Sequence, residues 1–481
     1  MADDLGHRVT RHAVVIGGSL AGLLAARVLA EHAERVTVVE RDRLPEGPEA
    51  RPGVPQGRHL HVLIAGGQQA LDELLPGFMD ELHALGAPKV GVPEDMVQWQ
   101  NGQWFSRTAA TAHFYAGPRP QLEWLVRQRV LADPRIELIE GTETVGLTGD
   151  SARVRGVRLR QRGAGTDKQP RTLAADLVVD ASGRSTKAAD WLADIGAEAA
   201  HEEILDTGLA YGTRVYRAPA GDAGTDATGY YIVPGPAQVY GGVVLPLGDG
   251  RHLVTLSGLR GDEPPTEEGA FEEYAKRLPH PVVSDWLARA EPESPVYGFR
   301  GTANIRRRYD RPGRRPAGFL ATGDALCAFN PIYGQGMAVA ALGAVALRRA
   351  LADPRRTPTT RQVQRALLDA SRQAWDISAG ADKKMPGATG DAARPGPLDK
   401  AVGWYLSRVQ ARAAGDPTVG APFRAALTLT APLTSLFAPP VARAVLFGPV
   451  TDTPAEPPLR RDAQPGVVPG EPEADRDLDH A

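Results

Sequence analysis

VVIGGSLAGLLAARVLAE (residues 14–31) and GFLATGDALCAFNPIYGQGMAVAALGAVAL (residues 318–347) each read as an apolar strand running into a glycine-rich helix start. In the first, residues 13–16 form the strand and residues 20–31 the helix, joined by a turn that carries Gly17, Gly18 and Ser19, with Ala21 and Gly22 just inside the helix. Backbone N–H groups and the positive end of the helix dipole then face a pyrophosphate. The next strand, residues 35–40, ends in Glu40, eighteen residues beyond Gly22, where a carboxylate accepts from both ribose hydroxyls. Arg41 follows it directly. Ser19 replaces the middle glycine of the fingerprint, so the glycines alone are weak evidence. The ordered succession of strand, turn, helix, strand and acid carries the reading.

The second block selects the dinucleotide. Residues 320–322 close a strand, Gly323 and Asp324 follow, and Pro331 opens a turn into a small-residue helix beginning with Gly334, Gly336 and Met337. An acid at 324 suits a ribityl hydroxyl, and the helix N-terminus would face the flavin pyrimidine, where the reduced ring is negative. A nicotinamide dinucleotide has no ribityl chain. The expected cofactor is FAD.

With the segments GVPQGRHLHVL (53–63), PRPQLEWLVRQ (118–128), ADLVVDASGRS (175–185), YGTRVYRAP (211–219) and RRYDRPGRRPAGFLATGDALCAFNPIYGQGM (307–337), the chain resembles the FAD-dependent monooxygenases of the aromatic-hydroxylase superfamily. The resemblance runs along residues 12–460 and is strongest to the bacterial epoxidases of polyether biosynthesis, the lasalocid and monensin epoxidase group. It implies a flavin C4a-hydroperoxide that epoxidises alkenes of a bulky apolar polyketide or terpenoid in secondary metabolism. Oxygen is the co-substrate, and NADPH, NADH or a flavin reductase partner supplies electrons. Aromatic hydroxylation, a flavin reductase resembling geranylgeranyl reductase, and a non-catalytic flavin carrier are the alternatives. The resemblance also implies that Arg119 contacts FAD and that Arg51 and Arg58 flank a segment that lets the flavin move. Aromatic hydroxylases usually have Asp-Gly where this chain has Ser182-Gly183, with Asp180 two residues earlier, so their NADPH site is not directly inherited. Epoxidation needs a dry, shaped cavity rather than a protein base, and none is assigned.

Other residues read more plainly. Arg127, two turns beyond Arg119, reads as a solvated ion-pair partner. His59 and His61 share a side if their segment is extended, but no third ligand is spaced for a metal. Cys327, the one cysteine, reads as a small buried residue near the flavin. GAG at 163–165 lacks a strand before it and a helix after it. QWQNGQWF (98–105) does not match the tryptophan-rich signature of flavin halogenases. The net charge of −3 over 481 residues offers no basic field for nucleic acid and no polybasic segment for a membrane surface. No apolar run reaches spanning length and the N-terminus has no signal-like apolar region, so a cytoplasmic protein without a membrane span is expected.

The expected fold class is α/β, a Rossmann-like FAD-binding domain of glutathione-reductase type with an inserted antiparallel β-sheet substrate domain and C-terminal helices. Residues 12–90, 118–200 and 301–357 build the FAD domain. Residues 91–117 and 201–300 build the substrate domain, with helices at 267–277 and 281–290. Residues 358–450 form a helical region. Residues 451–481, rich in Pro, Asp and Glu, are expected to be a disordered tail.

Overall fold

The structure, a computed structural model, describes residues 10–51, 53–163, 169–218, 224–352, 358–394, 396–397, 399–449 and 451–461. Most of the GAG turn and residues 462–481 of the expected tail lie outside these. The elements that position the site begin with β1 (Thr10–Ile16), α1 (Leu20–Leu29), β2 (Ala33–Val39), β3 (Met96–Gln100), β4 (Gln103–Trp104), α2 (Arg119–Leu131), β5 (Ile136–Ile139) and β6 (Leu177–Asp180). They continue with β7 (Ala210–Arg217), β8 (Gly229–Ile232), β9 (Gly241–Gly248), β10 (Arg251–Gly258), β11 (Glu291–Pro292), β12 (Tyr297–Phe299) and β13 (Phe319–Ala321). Five helices follow: α3 (Gly336–Leu351), α4 (Thr360–Asp382), α5 (Asp399–Ala413), α6 (Pro417–Leu427) and α7 (Pro439–Phe447).

A five-stranded parallel sheet, ordered β13-β6-β1-β2-β5, is the frame of the first domain. Its central strands are apolar on both faces, with Ala13, Val14, Val15, Val178, Val179 and Leu320 fully buried, as a sheet covered on both sides requires. Helices α1 and α3 pack together, and α4 lies against α3. Helix α1 stops at Leu29 rather than at residue 31, because β2 already begins at Ala33 and the chain must turn between them.

The sheet expected to face the substrate, called the substrate sheet below, has eight strands, ordered β11-β7-β10-β9-β8-β3-β4, with β12 also paired to β7. It is not wholly antiparallel. Strand β8 runs parallel to β3, pairing Gly229 with Met96 through Ile232 with Trp99, since both strands enter the sheet from the same end. Short helices at Ala270–Tyr274 and Val282–Leu287 cover one face, burying Phe271, Val283 and Trp286. The first is shorter than expected because it tightens into a 3-10 turn at Ala275–Arg277. Helices α5, α6 and α7 form a separate apolar cluster around Val409, Phe423 and Val445, into which Phe105 inserts.

Residues 457–461 correct the expected tail. The carbonyls of Pro458 and Leu459 accept from Arg107 Nη1 (3.1 and 2.9 Å), and Leu459 O also accepts from Thr225 Oγ1 (2.8 Å). Arg461 pairs with Glu94 and Asp226. Composition reports the lack of apolar bulk in this segment, but the strap is held by backbone carbonyls and ion pairs, to which composition is blind.

Candidate active site

The two glycine blocks close on one another. Gly17 has φ +103°, and a Cβ there would lie 2.5 Å from Ala181 O, so the turn between β1 and α1 admits only glycine. Gly323, at φ +55°, leaves room for the Cβ of Ala21, which would be 2.5 Å from any Cβ at 323. That contact brings the Gly323–Ala325 turn of the second block against the first turn of α1.

Glu40 follows β2 directly and is buried. Its Oε2 accepts from Gly18 N (2.8 Å) and its Oε1 from Asp42 N (2.9 Å), which fixes the carboxylate at the mouth of the fingerprint turn. Ser19 donates through Oγ to Glu123 Oε2 (2.9 Å) and accepts from Arg119 Nη2 (3.3 Å). Arg51 is buried and reaches three acids: Glu123 (2.7 Å), Glu40 (3.2 Å) and Asp42 (3.2 Å). These neighbours hold its guanidinium above the ordinary range although burial opposes the charge. Glu123 was not singled out in the sequence. Its spacing of i+4 from Arg119 on α2 was the available signal.

The remaining arginines separate. Arg41 is exposed and donates to Gly53 O (3.3 Å), away from the turn. Arg58 leaves the cradle and stands over the Tyr297 ring of the substrate sheet, 4.9 Å from its centroid. Arg127 is not a solvated ion-pair partner: it is buried and donates to Pro45 O, because the loop after β2 folds over α2 at that point. A cleft of about 320 Å³ opens there, lined by Pro45, Arg51, Val54, Arg119, Trp124 and Arg127.

Asp180, at the end of β6, is fully buried. It accepts from Ser182 N (2.9 Å), Ser182 Oγ (2.6 Å) and Thr186 Oγ1 (2.5 Å), so it shapes the Ser182-Gly183 loop from inside. Arg184 in that loop, a residue without a sequence signal, donates to Ala303 O and to Phe329 O (2.7 Å) and lies in the field of Asp324. The Asp324 carboxylate is half-buried, and among the described residues no group bonds it.

The turn Pro331–Tyr333 and Gly334, which has φ +65°, lead into α3. Behind the turn, Asp382 of α4 accepts from Tyr333 OH (2.6 Å), Asn330 Nδ2 (3.0 Å) and Asn304 Nδ2 (2.6 Å). Asn304 in turn accepts from Asn330 N (2.8 Å) and Ser378 Oγ (2.5 Å). Burial raises the Asp382 carboxyl above its ordinary range. Met337 is buried at the head of α3 and lines an apolar cleft of about 280 Å³ with His61, Leu63, Tyr115 and Leu122.

His59 and His61 part company, because the 3-10 turn Pro55–Arg58 ends just before them and the backbone bends. His59 Nδ1 bonds Thr213 Oγ1 of the substrate sheet (2.9 Å), whereas His61 Nε2 meets Arg119 Nη1 (3.2 Å). Burial lowers both imidazoles, His59 to about 4 and His61 to about 3, the latter with help from Arg119. The His59 ring stands edge-on to Tyr211 (4.9 Å) and Phe299 (5.5 Å), and Tyr211 stacks on Phe299 (5.3 Å). Tyr211 feels both Arg184 and Arg119, so this aromatic wall borders the glycine blocks. Cys327 is buried, with its thiol pushed up to about 12 by burial, as suits a packing residue.

These residues fit an FAD. The helix start, Glu40 and the half-buried Asp324 supply what a pyrophosphate and two sets of hydroxyls need. Gln335, only 2% exposed, has an amide oxygen at the head of α3 that finds no partner among the described residues, and a Cβ on Gly336 would meet none of their atoms within 4 Å. Both facts describe a polar cradle shaped for a bound group.

Fold and site together define an FAD-binding flavoprotein. The chain belongs to the FAD binding domain family, which matches residues 10–374. It is 37% identical to Protein Rv3254 of Mycobacterium tuberculosis over 348 residues, 71% of this chain and 73% of that protein. Among solved structures, its fold resembles flavin-dependent brominase Bmp2 (TM-score 0.63, 14% identity, 87% of this chain and 93% of that one). It also resembles p-nitrophenol 4-monooxygenase PnpA from Pseudomonas putida (TM-score 0.57, 16% identity, 82% of this chain and 92% of that one).

Proposed function

We propose that the enzyme inserts one oxygen atom into a bulky apolar metabolite, epoxidising an alkene of polyketide or terpenoid type. The observation that carries this reading is the neutral aromatic wall of His59, Tyr211 and Phe299 between the glycine blocks and the substrate sheet. With both histidines deprotonated at neutral pH, the rings of that wall carry no charge of their own and offer an alkene apolar contact. Bound FAD supplies the activation of oxygen. The chain's own residues hold it through the fingerprint turn, Glu40 and Asp324. The similarity of GVPQGRHLHVL and its companion segments to polyether epoxidases supports the same choice.

Phenol hydroxylation is the second reading, favoured by Tyr231 and Tyr333. Tyr231 OH stands 3.5 Å from Ile332 O in the turn that carries Tyr333, and Asp382 lies behind Tyr333. The deciding experiment measures NADH and NADPH oxidation, oxygen uptake and product mass with a panel of apolar polyenes and phenols. Polyene-stimulated uptake with a product one oxygen heavier supports epoxidation. The same result with phenols alone supports hydroxylation, and double-bond saturation without oxygen uptake defeats both.

A further inference from the structure

Arg119 opens α2 with its guanidinium beside the fingerprint turn, and three parts of the chain meet it there. Nη2 donates to Ser19 Oγ in the turn (3.3 Å), Nη1 meets His61 Nε2 (3.2 Å), and Glu123 Oε2 lies 3.7 Å from Nε. The side chain is only 15% exposed, so these groups rather than solvent set its direction.

The chemistry of its partners fixes the state of His61. A guanidinium only donates, so Nε2 accepts. On the other side of the ring, Nδ1 stands 2.9 Å from His59 O, which only accepts, so Nδ1 carries the proton. One tautomer satisfies both contacts, and the imidazolium is excluded, because its second N–H would face the Arg119 cation. Burial, and then Arg119, lower the ring to about 3, in keeping with that geometry.

A neutral acceptor does something here that an acid would not. A carboxylate at position 61 would hold the guanidinium and offset its charge, whereas an imidazole holds it and leaves the charge for an anion at the turn. Glu123 is already engaged by Arg51, which donates to its Oε1 through Nε (2.9 Å) and Nη2 (2.7 Å).

We propose that His61 is a positioning residue for the cofactor: its neutral Nε2 clamps Arg119 against the fingerprint turn, aimed at the pyrophosphate with its charge intact. The inference rests on the FAD reading of that turn and adds to it a residue that acts on the cofactor only through Arg119.

The test is titration of FAD into apoprotein stripped from the full-length holoprotein, followed by flavin fluorescence. It compares the wild type with His61→Leu, His61→Gln, Arg119→Met and the double variant that combines His61→Leu with Arg119→Met. Leucine fills the place without an acceptor, whereas glutamine returns an amide oxygen near the position of Nε2. His61→Leu should weaken FAD binding about tenfold, and His61→Gln should recover most of that loss. Arg119→Met should lose at least as much. Adding His61→Leu to it should change the affinity by less than about twofold, since the pair acts as one unit. Unchanged affinity in His61→Leu or in Arg119→Met, a failure of glutamine to recover binding, or losses that multiply in the double variant overturns the proposal and leaves the FAD site standing. Wild-type apoprotein that takes up no FAD overturns the cofactor reading and the proposal with it. Should His61→Leu not fold, the wild-type protein with nitrogen-15 histidine decides, its His61 signals identified by their loss in His61→Gln. At neutral pH that ring should carry its proton on Nδ1, and a proton on Nε2 removes the clamp.

Discussion

Glu40 and Asp324 illustrate how little side-chain chemistry the cofactor site requires. Each is a single acid placed by a strand or turn whose backbone does most of the binding. Replacing either with alanine removes charge-assisted hydrogen bonds and should weaken FAD binding roughly 10- to 100-fold. Flavin fluorescence on titration into apoprotein measures this, and unchanged affinity in both variants would overturn the assignment. His59 supports a prediction about pH. Its imidazole titrates near 6.5 when unfolded and at about 4 when folded, so between these values the unfolded chain holds the extra proton. Stability therefore falls as pH drops from about 6.5 towards 4. His61 extends the loss lower, since it titrates at about 3 when folded. Melting temperatures across that range should show the decline, and His59→Gln should flatten its upper part. A slope unaltered in that variant would remove His59 from the account.

At the scale of elements, the turn before α3 is fixed from behind by α4 through Asp382. Asp382→Ala leaves Asn304, Asn330 and Tyr333 with unmet hydrogen bonds in a buried place and should cost about 3 kcal/mol. Chemical denaturation reads that loss, and Asp382→Asn should recover part of it by keeping an acceptor. This network was illegible in the sequence. Residues 304, 330, 333, 378 and 382 meet only when α4 lies across the turn, and no local pattern announces that packing. The glycine blocks were legible for the opposite reason, because each is one continuous strand, turn and helix whose backbone geometry restricts the residue at fixed spacings. The roles of Arg58 and Arg127 went unseen because a basic side chain of that length reaches partners the spacing does not fix. The parallel entry of β3 beside β8 escaped for a similar reason, since alternation reveals a strand's faces but not its neighbour's direction.

Over the whole molecule, the strap at 457–461 ties the end of the described chain to the substrate sheet, with Arg107 at its centre. Ending the chain at residue 456 should lower the unfolding midpoint by about 2–4 °C while leaving the flavin spectrum intact. An unchanged midpoint would make the strap incidental. The parallel sheet has a further consequence for how the protein is made. Its edge strand β13 arrives only at residues 319–321, beside β6, which was synthesised some 140 residues earlier. Until the ribosome passes that point the nascent chain carries an unpaired apolar strand edge, a template for aggregation. The turn that packs against Ala21 also does not yet exist, so FAD can be captured only late in synthesis. Expression yield should therefore depend on how quickly translation crosses the middle of the chain.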